Sequence, residues 1–231
     1  IIKQNAPVLT LITPVLPAVG RGRKMSIIPN ISGQASWPSQ IDLSSVGMEH
    51  SEALMAERYI KDKSKMLEWG GGGSTLYFPR LVEKYVSIEH NQEWYEELKP
   101  QLLENVEFYH VPIHEEKFDD ELDKNAVDIL SGPEDTETRD GIVYWLTRGN
   151  FDWHCGMDYI KKPVELPYRN YDVIFVDGRC RAMCAYIAKY LLKDDGHLLF
   201  HDFNNRTYYF GILKYYEIVD SVETLAVLVK K

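Results

Sequence analysis

The sequence has few cysteines, no excess of positive charge and no long apolar run. Its three cysteines, Cys155, Cys180 and Cys184, lack the spacing of a zinc site and cannot all pair with one another. This pattern favours a reducing compartment such as the cytoplasm, although an enzyme of the Golgi lumen could also keep free thiols.

The charge balance argues against a nucleic-acid partner. The chain has 26 Lys and Arg against 35 Asp and Glu, for a formal net charge of −9. Proteins that bind a phosphate backbone usually do so through clustered Lys and Arg. We therefore expect no nucleic-acid partner, and a small molecule or a neutral polymer instead.

Long hydrophobic segments are also missing. No stretch reaches the ~20 apolar residues that a membrane span requires, and Pro14 and Pro17 interrupt the apolar segment at 7–19. The sequence begins with Ile1 rather than Met. We therefore expect a fragment or processed product, whose upstream part could carry a targeting signal or another domain.

The composition is that of a folded protein. The chain has 231 residues, of which 45% are hydrophobic and 12% aromatic, which suits one domain with a sizeable core. Residues 1–47 are rich in Pro, Ser and Gly, and we expect an irregular N-terminal arm or lid there. The predicted domain covers residues 48–231, with an acidic, mixed insertion at about 113–169.

Hydrophobic periodicity predicts alternating strands and helices. Helices are expected at 49–61, 76–84, 92–103, 182–192 and 208–216, and strands at 65–68, 86–89, 106–111, 171–176, 196–200, 217–219 and 224–229. Such alternation implies an α/β fold with a mostly parallel sheet, which the last two strands would close as an antiparallel pair.

A glycine run follows the first of these predicted strands. The segment at 67–75 reads Leu-Glu-Trp-Gly-Gly-Gly-Gly-Ser-Thr, and a tight turn of this kind leaves backbone N–H groups open to a nucleotide-like ligand. By itself it could be a flexible turn. The second strand, however, ends at Glu89, 21 residues after Glu68, where a carboxylate can accept hydrogen bonds from ribose hydroxyls. It would repel a ribose phosphate, which disfavours NADP.

The pattern Glu68-x-Gly70-x-Gly72-x-Ser74 resembles the first motif of the class I S-adenosylmethionine-dependent methyltransferases. The resemblance extends over about residues 51–229, or four-fifths of the chain. It implies a Rossmann-like three-layer sandwich with a mostly parallel seven-stranded sheet and an antiparallel C-terminal strand. The cofactor-binding residues it implies are Glu68, Gly70, Gly71, Gly72, Ser74, Thr75, Glu89, His90 and Asp177.

The expected reaction centre lies at the ends of the fourth and fifth strands, where Asp177 and the pair His201-Asp202 should face one cleft. We predict these three as the catalytic residues. Asp177 and Asp202 match the acidic positions of metal-dependent catechol-type O-methyltransferases and could bind Mg²⁺ or Mn²⁺, although Phe203 stands where that family has Asn. Alternatively, these carboxylates cap loops or hold a hydrogen-bond network.

Without a metal, His201 is the best candidate for the base, since an imidazole titrates near neutral pH. Its alternative role is a histidine at a strand end that bonds to backbone. Arg179 and Arg181 could anchor an anionic group or pair with nearby acids. The insertion contains Tyr144, Trp145, Trp153 and Tyr159, which could stack on sugar rings or pack in the core.

Asp-Gly-Arg at 177–179 and His-Asp-Phe at 201–203 resemble a less characterised branch of this superfamily that is associated with glycan or polysaccharide modification. The hypothesis is therefore O-methylation of a sugar hydroxyl of a glycan, or of another small hydroxylated acceptor. One alternative is a catalytically silent methyltransferase-like module of a larger glycan-processing protein. A polyamine synthase is a lesser alternative, because Ser74 follows the glycines where spermidine synthases carry an acid.

Overall fold

The computed structural model describes residues 46–113 and 156–231, all of which belong to one compact unit, Pro38–Lys231. Most of the predicted N-terminal arm at 1–47 and of the predicted insertion at about 113–169 lies outside the described residues. The alternating strands and helices described below lie within these two ranges.

A single sheet of seven strands forms the centre of the described structure. The strands are β1 Lys63–Trp69, β2 Val82–Glu89, β3 Val106–His110, β4 Tyr171–Val176, β5 Leu192–Phe200, β6 Tyr216–Val222 and β7 Leu225–Lys230, in the spatial order β3-β2-β1-β4-β5-β7-β6. The first five pair in parallel, whereas β7 is antiparallel to both β5 and β6. This confirms the predicted mostly parallel sheet with an antiparallel C-terminal strand.

The described helices are α1 His50–Ile60, α2 Gly73–Tyr77, α3 Gln92–Leu98, α4 Met157–Glu165 and α5 Arg181–Ala188, with 3₁₀ helices at Phe78–Leu81, Lys99–Gln101 and Thr207–Lys214. Within residues 46–113 and 156–231, no helix is both long and apolar enough to cross a membrane.

Apolar side chains on the two faces of the sheet form two separate cores. Along β4, Val173 and Phe175 pack into the cluster that contains the buried face of α1. Ile174 and Val176 face the opposite way, into the cluster formed with α4 and α5. Strands that are buried on both faces have no polar alternation, which explains the continuous apolar sequence of β4 from Val173 to Val176. The result is the predicted sandwich of three layers.

Two predicted helices are shorter than their hydrophobic pattern suggests. The segment predicted as a helix at 76–84 is α2 followed by the 3₁₀ helix Phe78–Leu81, and β2 already begins at Val82. Pro79 explains the early end of α2, because proline has no N–H for the α-helical ladder. Pro100 lies in the 3₁₀ helix that ends α3 in the same way.

Two other boundaries also differ from prediction. The segment at 157–165, predicted as part of the insertion, is helix α4, and it buries Tyr159, Ile160 and Val164 against the sheet. It leads from the edge strand β3 back to β4, so regular structure resumes before the predicted end of the insertion. Strand β5 begins at Leu192 rather than at 196. Its first residues are polar, and the pairing of β5 with β4 shifts register between Tyr171 and Val173, so these residues lack the hydrophobic pattern of a strand.

Two glycines allow the ends of β1 and β4 to approach closely. Gly70 has a φ of 99°, and a Cβ added there would lie 2.4 Å from the backbone nitrogen of Gly178. A Cβ added at Gly178 would lie 2.0 Å from the hydroxyl oxygen of Tyr159 and 2.9 Å from Cα of Gly70. Any larger residue at either position would push these strand ends apart.

We predict that Gly70→Ala lowers the free energy of unfolding by about 2–5 kcal/mol, from overpacking together with strain at a positive φ. Gly72→Ala is the matched control, because Gly72 has an extended φ of −170° and its added Cβ would meet no atom closer than 3.8 Å. We expect less than about 1 kcal/mol for this control. Urea denaturation measures both, and equal losses would contradict the proposed close approach.

Candidate active site

The glycine loop and the acidic end of β2 lie side by side, as the sequence predicts. The N–H of Gly70 donates a hydrogen bond to the carbonyl of Ile88 at 2.9 Å. A Cβ added at Gly71 would lie 2.7 Å from Cε2 of Phe108 and 3.3 Å from Cβ of Glu89. The loop therefore approaches β2 and β3 at the edge of the sheet where the parallel strands end.

Glu68 is fully buried beneath the loop and does not face a cleft. Its carboxylate accepts hydrogen bonds from the hydroxyls of Ser74, of Thr75 at 2.5 Å and of Ser87 at 2.7 Å. Burial raises the pKa of Glu68 to about 7, although the three hydroxyls favour the ionised form. Glu68, Ser74 and Thr75 are predicted cofactor-binding residues. In the structure their side-chain oxygens form hydrogen bonds with one another on the buried side of the loop and stabilise its conformation.

Glu89 and His90 stand together where β2 ends. One carboxylate oxygen of Glu89 accepts the backbone N–H of Asn91 at 2.7 Å and lies 2.9 Å from Nδ1 of His90. The carbonyl of His90 lies 3.1 Å from Nε2 of His110, on the neighbouring strand β3. Both predicted residues are thus fixed next to the glycine loop.

Trp94 is a loop contact that the sequence analysis missed. Its indole N–H donates a hydrogen bond to the carbonyl of Gly71 at 2.7 Å, and Asn91 caps helix α3 by accepting the backbone N–H of Trp94 at 2.9 Å. Within the helix predicted at 92–103, helical spacing indicates only that Trp94 packs on the same side as Tyr95 and Leu98. A partly buried indole N–H usually needs a hydrogen-bond acceptor, and this requirement could have predicted the contact.

The structure brings the three predicted catalytic residues together. Asp177 follows β4, and His201 and Asp202 follow β5; their nearest possible ligand atoms all lie within 4.8 Å of one another. Parallel strands β4 and β5 are neighbours, so their carboxyl ends meet at the same edge. Asp177 has the most exposed side chain of the three, at 26%.

Both ring nitrogens of His201 contact carboxylates. Nδ1 lies 2.7 Å from Oδ1 of Asp177, and Nε2 lies 3.2 Å from Oε2 of Glu52. Burial lowers the pKa of His201, but the hydrogen bond and charge of Asp177 outweigh it, and the net direction is upward. This geometry suits an imidazolium that donates to two acids, rather than a free base or a histidine bonded to backbone.

Glu52 is a second contact that the sequence analysis missed. It is buried on α1, and its Oε1 accepts hydrogen bonds from the N–H of Thr224 at 2.7 Å, its hydroxyl at 2.6 Å and the N–H of Leu225 at 3.1 Å. Burial raises the pKa of Glu52, but the hydrogen bonds, chiefly from Thr224, lower it overall. Glu52 thereby joins α1, the turn between β6 and β7, and His201.

Arg181 lies between the two predicted metal ligands. Its guanidinium nitrogens lie 3.1 Å from Oδ1 of Asp177 and 3.2 Å from Oδ2 of Asp202, and Arg206 contacts the same Oδ2 at 2.7 Å. Burial raises the pKa of each aspartate, but Arg181 and the other cations lower it below the usual value. Of the two roles considered for Arg181, pairing with nearby acids is the one this geometry supports.

These contacts do not fit a metal site as they stand. A divalent cation needs several carboxylate oxygens with free lone pairs, but Oδ1 of Asp177 and Oδ2 of Asp202 each receive two cationic partners. Oδ1 of Asp202 accepts the side-chain amide of Asn205, so among the described residues only Oδ2 of Asp177 is left for a metal. Phe203, at the position where an amide ligand was expected, is fully buried in the core. The cluster therefore matches the alternative of a hydrogen-bonded network of carboxylates.

Of the aromatic residues predicted in the insertion, Tyr159 is a core residue of α4, with its ring fully buried. Its backbone carbonyl accepts the indole N–H of Trp69 at 3.2 Å. Tyr144, Trp145 and Trp153 lie outside the described residues. The prediction that aromatic residues of this segment stack on a sugar stays a prediction.

No protein-family model matches the chain, and neither does any curated protein. Among solved structures, a methyltransferase-like protein from Silicibacter pomeroyi DSS-3 superimposes with a TM-score of 0.52 and 20% sequence identity, over 80% of this chain and 87% of that chain. The chain has a Rossmann-like methyltransferase fold. A TehB-like SAM-dependent methyltransferase from Corynebacterium glutamicum matches at a TM-score of 0.45 and 12% identity, over 82% of this chain and 92% of that chain. In this methyltransferase fold, the glycine loop and the Asp177 cluster lie at the same edge of the sheet.

The buried Glu68 should make stability depend on pH. The pKa of Glu68 is about 7 in the folded chain and near the usual 4.5 in the unfolded chain. Between these two pH values the carboxyl group is protonated in the folded state and ionised in the unfolded state. We therefore expect the free energy of unfolding of the wild type, relative to that of Glu68→Gln, to fall by about 3 kcal/mol as the pH rises through this window. The slope is about 1.36 kcal/mol per pH unit.

Urea denaturation of both proteins from pH 4 to pH 8 measures this difference. Glu83→Gln, which removes an exposed carboxyl on β2, is the control and should give a flat difference across the range. A flat difference for Glu68→Gln as well would show that folding does not raise the pKa of Glu68.

Proposed function

We propose that this protein is an S-adenosylmethionine-dependent methyltransferase. The observation that carries the proposal is the placement of Gly71 against Glu89 and Phe108, at the carboxyl ends of β1 and β2. Ligands of open parallel sheets collect at this edge, where glycines permit close approach of the backbone. A carboxylate beside the loop can accept both hydroxyls of a ribose.

The resemblance seen in the sequence supplies the orientation of the cofactor. Gly70, Gly71 and Gly72 would lie along the methionine part, Glu89 would hold the ribose and His90 would lie beside the adenine. Glu68, Ser74 and Thr75 would act indirectly, because they hold the loop by hydrogen bonds from below. When bound, the cofactor supplies an electrophilic methyl group on a sulfonium.

For the acceptor, we propose a sugar hydroxyl of a glycan or another small hydroxylated molecule. The Asp-Gly-Arg and His-Asp-Phe motifs support it, and so does the position of Asp177. Within the described residues, Oδ2 of Asp177 makes no hydrogen bond, while Oδ1 is held by His201 and Arg181. Asp177 can therefore accept a hydrogen bond from an incoming hydroxyl.

The proposed reaction is a direct displacement. The acceptor oxygen forms a bond to the methyl carbon, the carbon–sulfur bond breaks, and its electron pair stays on sulfur. The hydroxyl proton becomes acidic as the new bond forms and passes to Asp177, from which solvent removes it. Asp177 would be the catalytic residue, and His201 and Asp202 would position it through their shared contacts with Arg181.

A catalytically silent module is the second candidate. It is favoured by the pairing of the cluster: both ring nitrogens of His201 contact carboxylates, and Asp202 contacts Arg181, Arg206 and Asn205. Among the described residues of this cluster, only Asp177 keeps a carboxylate oxygen open for chemistry. Turnover measurements distinguish the two candidates.

Isothermal calorimetry tests the cofactor site. We expect S-adenosylhomocysteine to bind and NAD and NADP not to bind. Glu89→Ala should weaken S-adenosylhomocysteine binding by about 1–3 kcal/mol, because it removes charged hydrogen bonds to the ribose. Glu104→Ala, an exposed acid just before β3, is the control and should leave the affinity unchanged. Preference for a nicotinamide cofactor would end the proposal.

Formation of S-adenosylhomocysteine with a panel of neutral and acidic oligosaccharides tests the chemistry. We expect Asp177→Asn to lower kcat by about 10²–10⁴-fold, since it removes the proton acceptor, and to impair turnover more than cofactor affinity. Asp194→Asn, exposed at the opposite end of β5, should keep full turnover. Full activity in Asp177→Asn would refute its role, and cofactor binding without any turnover would favour the silent module.

A further inference from the structure

Arg181 occupies an unusual position for a cation. It is the first residue of α5, and the preceding Cys180 adopts a left-handed φ of 54°, so the chain turns sharply between β4 and this helix. A positive charge at a helix N-terminus opposes the helix dipole. Arg181 is nevertheless only 6% exposed, which requires strong compensating partners.

Those partners surround the guanidinium. Besides its two aspartate contacts, Nε donates to the carbonyl of Gly178 at 2.9 Å and Nη1 donates to the carbonyl of His201 at 2.5 Å. All three nitrogens of the side chain thus bind oxygens at the ends of β4 and β5. Carboxylate and carbonyl oxygens of this kind are the ligands that hard divalent cations prefer.

The charges of the cluster are already balanced. Its ionisable members are Glu52, Asp177, Arg181, His201, Asp202 and Arg206. Three carboxylates face two guanidiniums and one imidazole, so the net charge is −1 or zero according to the state of His201. A divalent cation added to this set would leave uncompensated positive charge in a partly buried site, unless it displaced Arg181.

We propose that Arg181 takes the place of a divalent cation between Asp177 and Asp202, and that the transfer reaction is metal-independent. The second clause rests on the proposed function, whereas the first concerns only the charges and oxygens of this cluster. Arginine keeps its charge at all working pH values and cannot be removed by a chelator. Its fixed fork also orients Asp177 with Oδ2 directed away from the ion pair.

Titration with Mn²⁺ tests the first clause without any activity measurement. The electron paramagnetic resonance signal of free Mn²⁺ diminishes when the ion binds, so it reports occupancy directly. We expect the wild-type chain of 231 residues to bind no Mn²⁺ at this cluster. Arg181→Ala should bind it at least about tenfold more tightly, because the aspartates then lack their shared cation. Adding Asp202→Asn to Arg181→Ala should abolish the new site.

Arg206→Ala is the matched control, since Arg206 contacts Asp202 but makes no ion pair with Asp177. It should not create a Mn²⁺ site. If Arg181→Ala does not fold in buffer alone, added Mn²⁺ should restore a cooperative thermal unfolding transition, and added Na⁺ at equal ionic strength should not. The proposal would be wrong if a folded Arg181→Ala variant does not bind Mn²⁺, or if an unfolded one does not fold when Mn²⁺ is added.

Two further results decide the matter on the wild type. Binding of Mn²⁺ that Asp177→Asn or Asp202→Asn abolishes would show that the site accepts a metal despite Arg181, and the proposal would be wrong. Methyl transfer that a chelator stops and Mg²⁺ restores would overturn the second clause. Calorimetry with S-adenosylhomocysteine in the presence of chelator separates this outcome from failure of the proposed function. If the cofactor still binds, only metal independence is wrong; if the cofactor does not bind with or without chelator, the proposed function itself is wrong.

Discussion

Neutralisation of three carboxylates at the ends of β4 and β5 is the constraint on which the rest of this site depends. Glu52, Asp177 and Asp202 are held within a partly buried region by Arg181, Arg206 and His201. Removal of any one cation would leave a desolvated negative charge, at a cost of several kcal/mol. This set of ion pairs and hydrogen bonds joins α1, α5 and the turn between β6 and β7.

A second buried acid is handled in a different way. Among the described residues, Glu68 has three hydroxyl hydrogen-bond donors and no cationic partner. Hydroxyls can either donate or accept, so they tolerate both protonation states of the carboxyl group. The glycine loop therefore rests on hydroxyl groups, whereas the cluster at the ends of β4 and β5 rests on ion pairs.

The sequence was most informative where local pattern decides structure. Strand β4 was predicted with the bounds that the structure has, 171–176, because its consecutive apolar residues at 173–176 are typical of a strand buried on both faces. The glycine loop and Glu89 were located from spacing along one βαβ unit. The helix predicted at 76–84 failed because its apolar residues serve two elements, with Pro79 between them.

The partners of the predicted site residues could not be found in this way. His201 contacts Glu52 across 149 positions of the chain, and Glu52 contacts Thr224 across 172. No periodicity or motif links such distant residues, because their proximity is set by the order of strands in the sheet. For the same reason, two aspartates matched a metal-binding pattern in the sequence, while the arginine between them became apparent only in three dimensions.

The contact between Gly178 and Tyr159 has a consequence for how this fold can diverge. The Tyr159 hydroxyl fills the space that a side chain at position 178 would need. A lineage that acquires alanine at 178 must therefore lose the hydroxyl at 159 or shift α4, and it must also accommodate the backbone of Gly70, which lies 2.9 Å from the added Cβ. Tyrosine to phenylalanine first removes the closer of these two obstacles before alanine arrives, whereas the reverse order meets both at once. Among homologues, these two positions should vary as a pair.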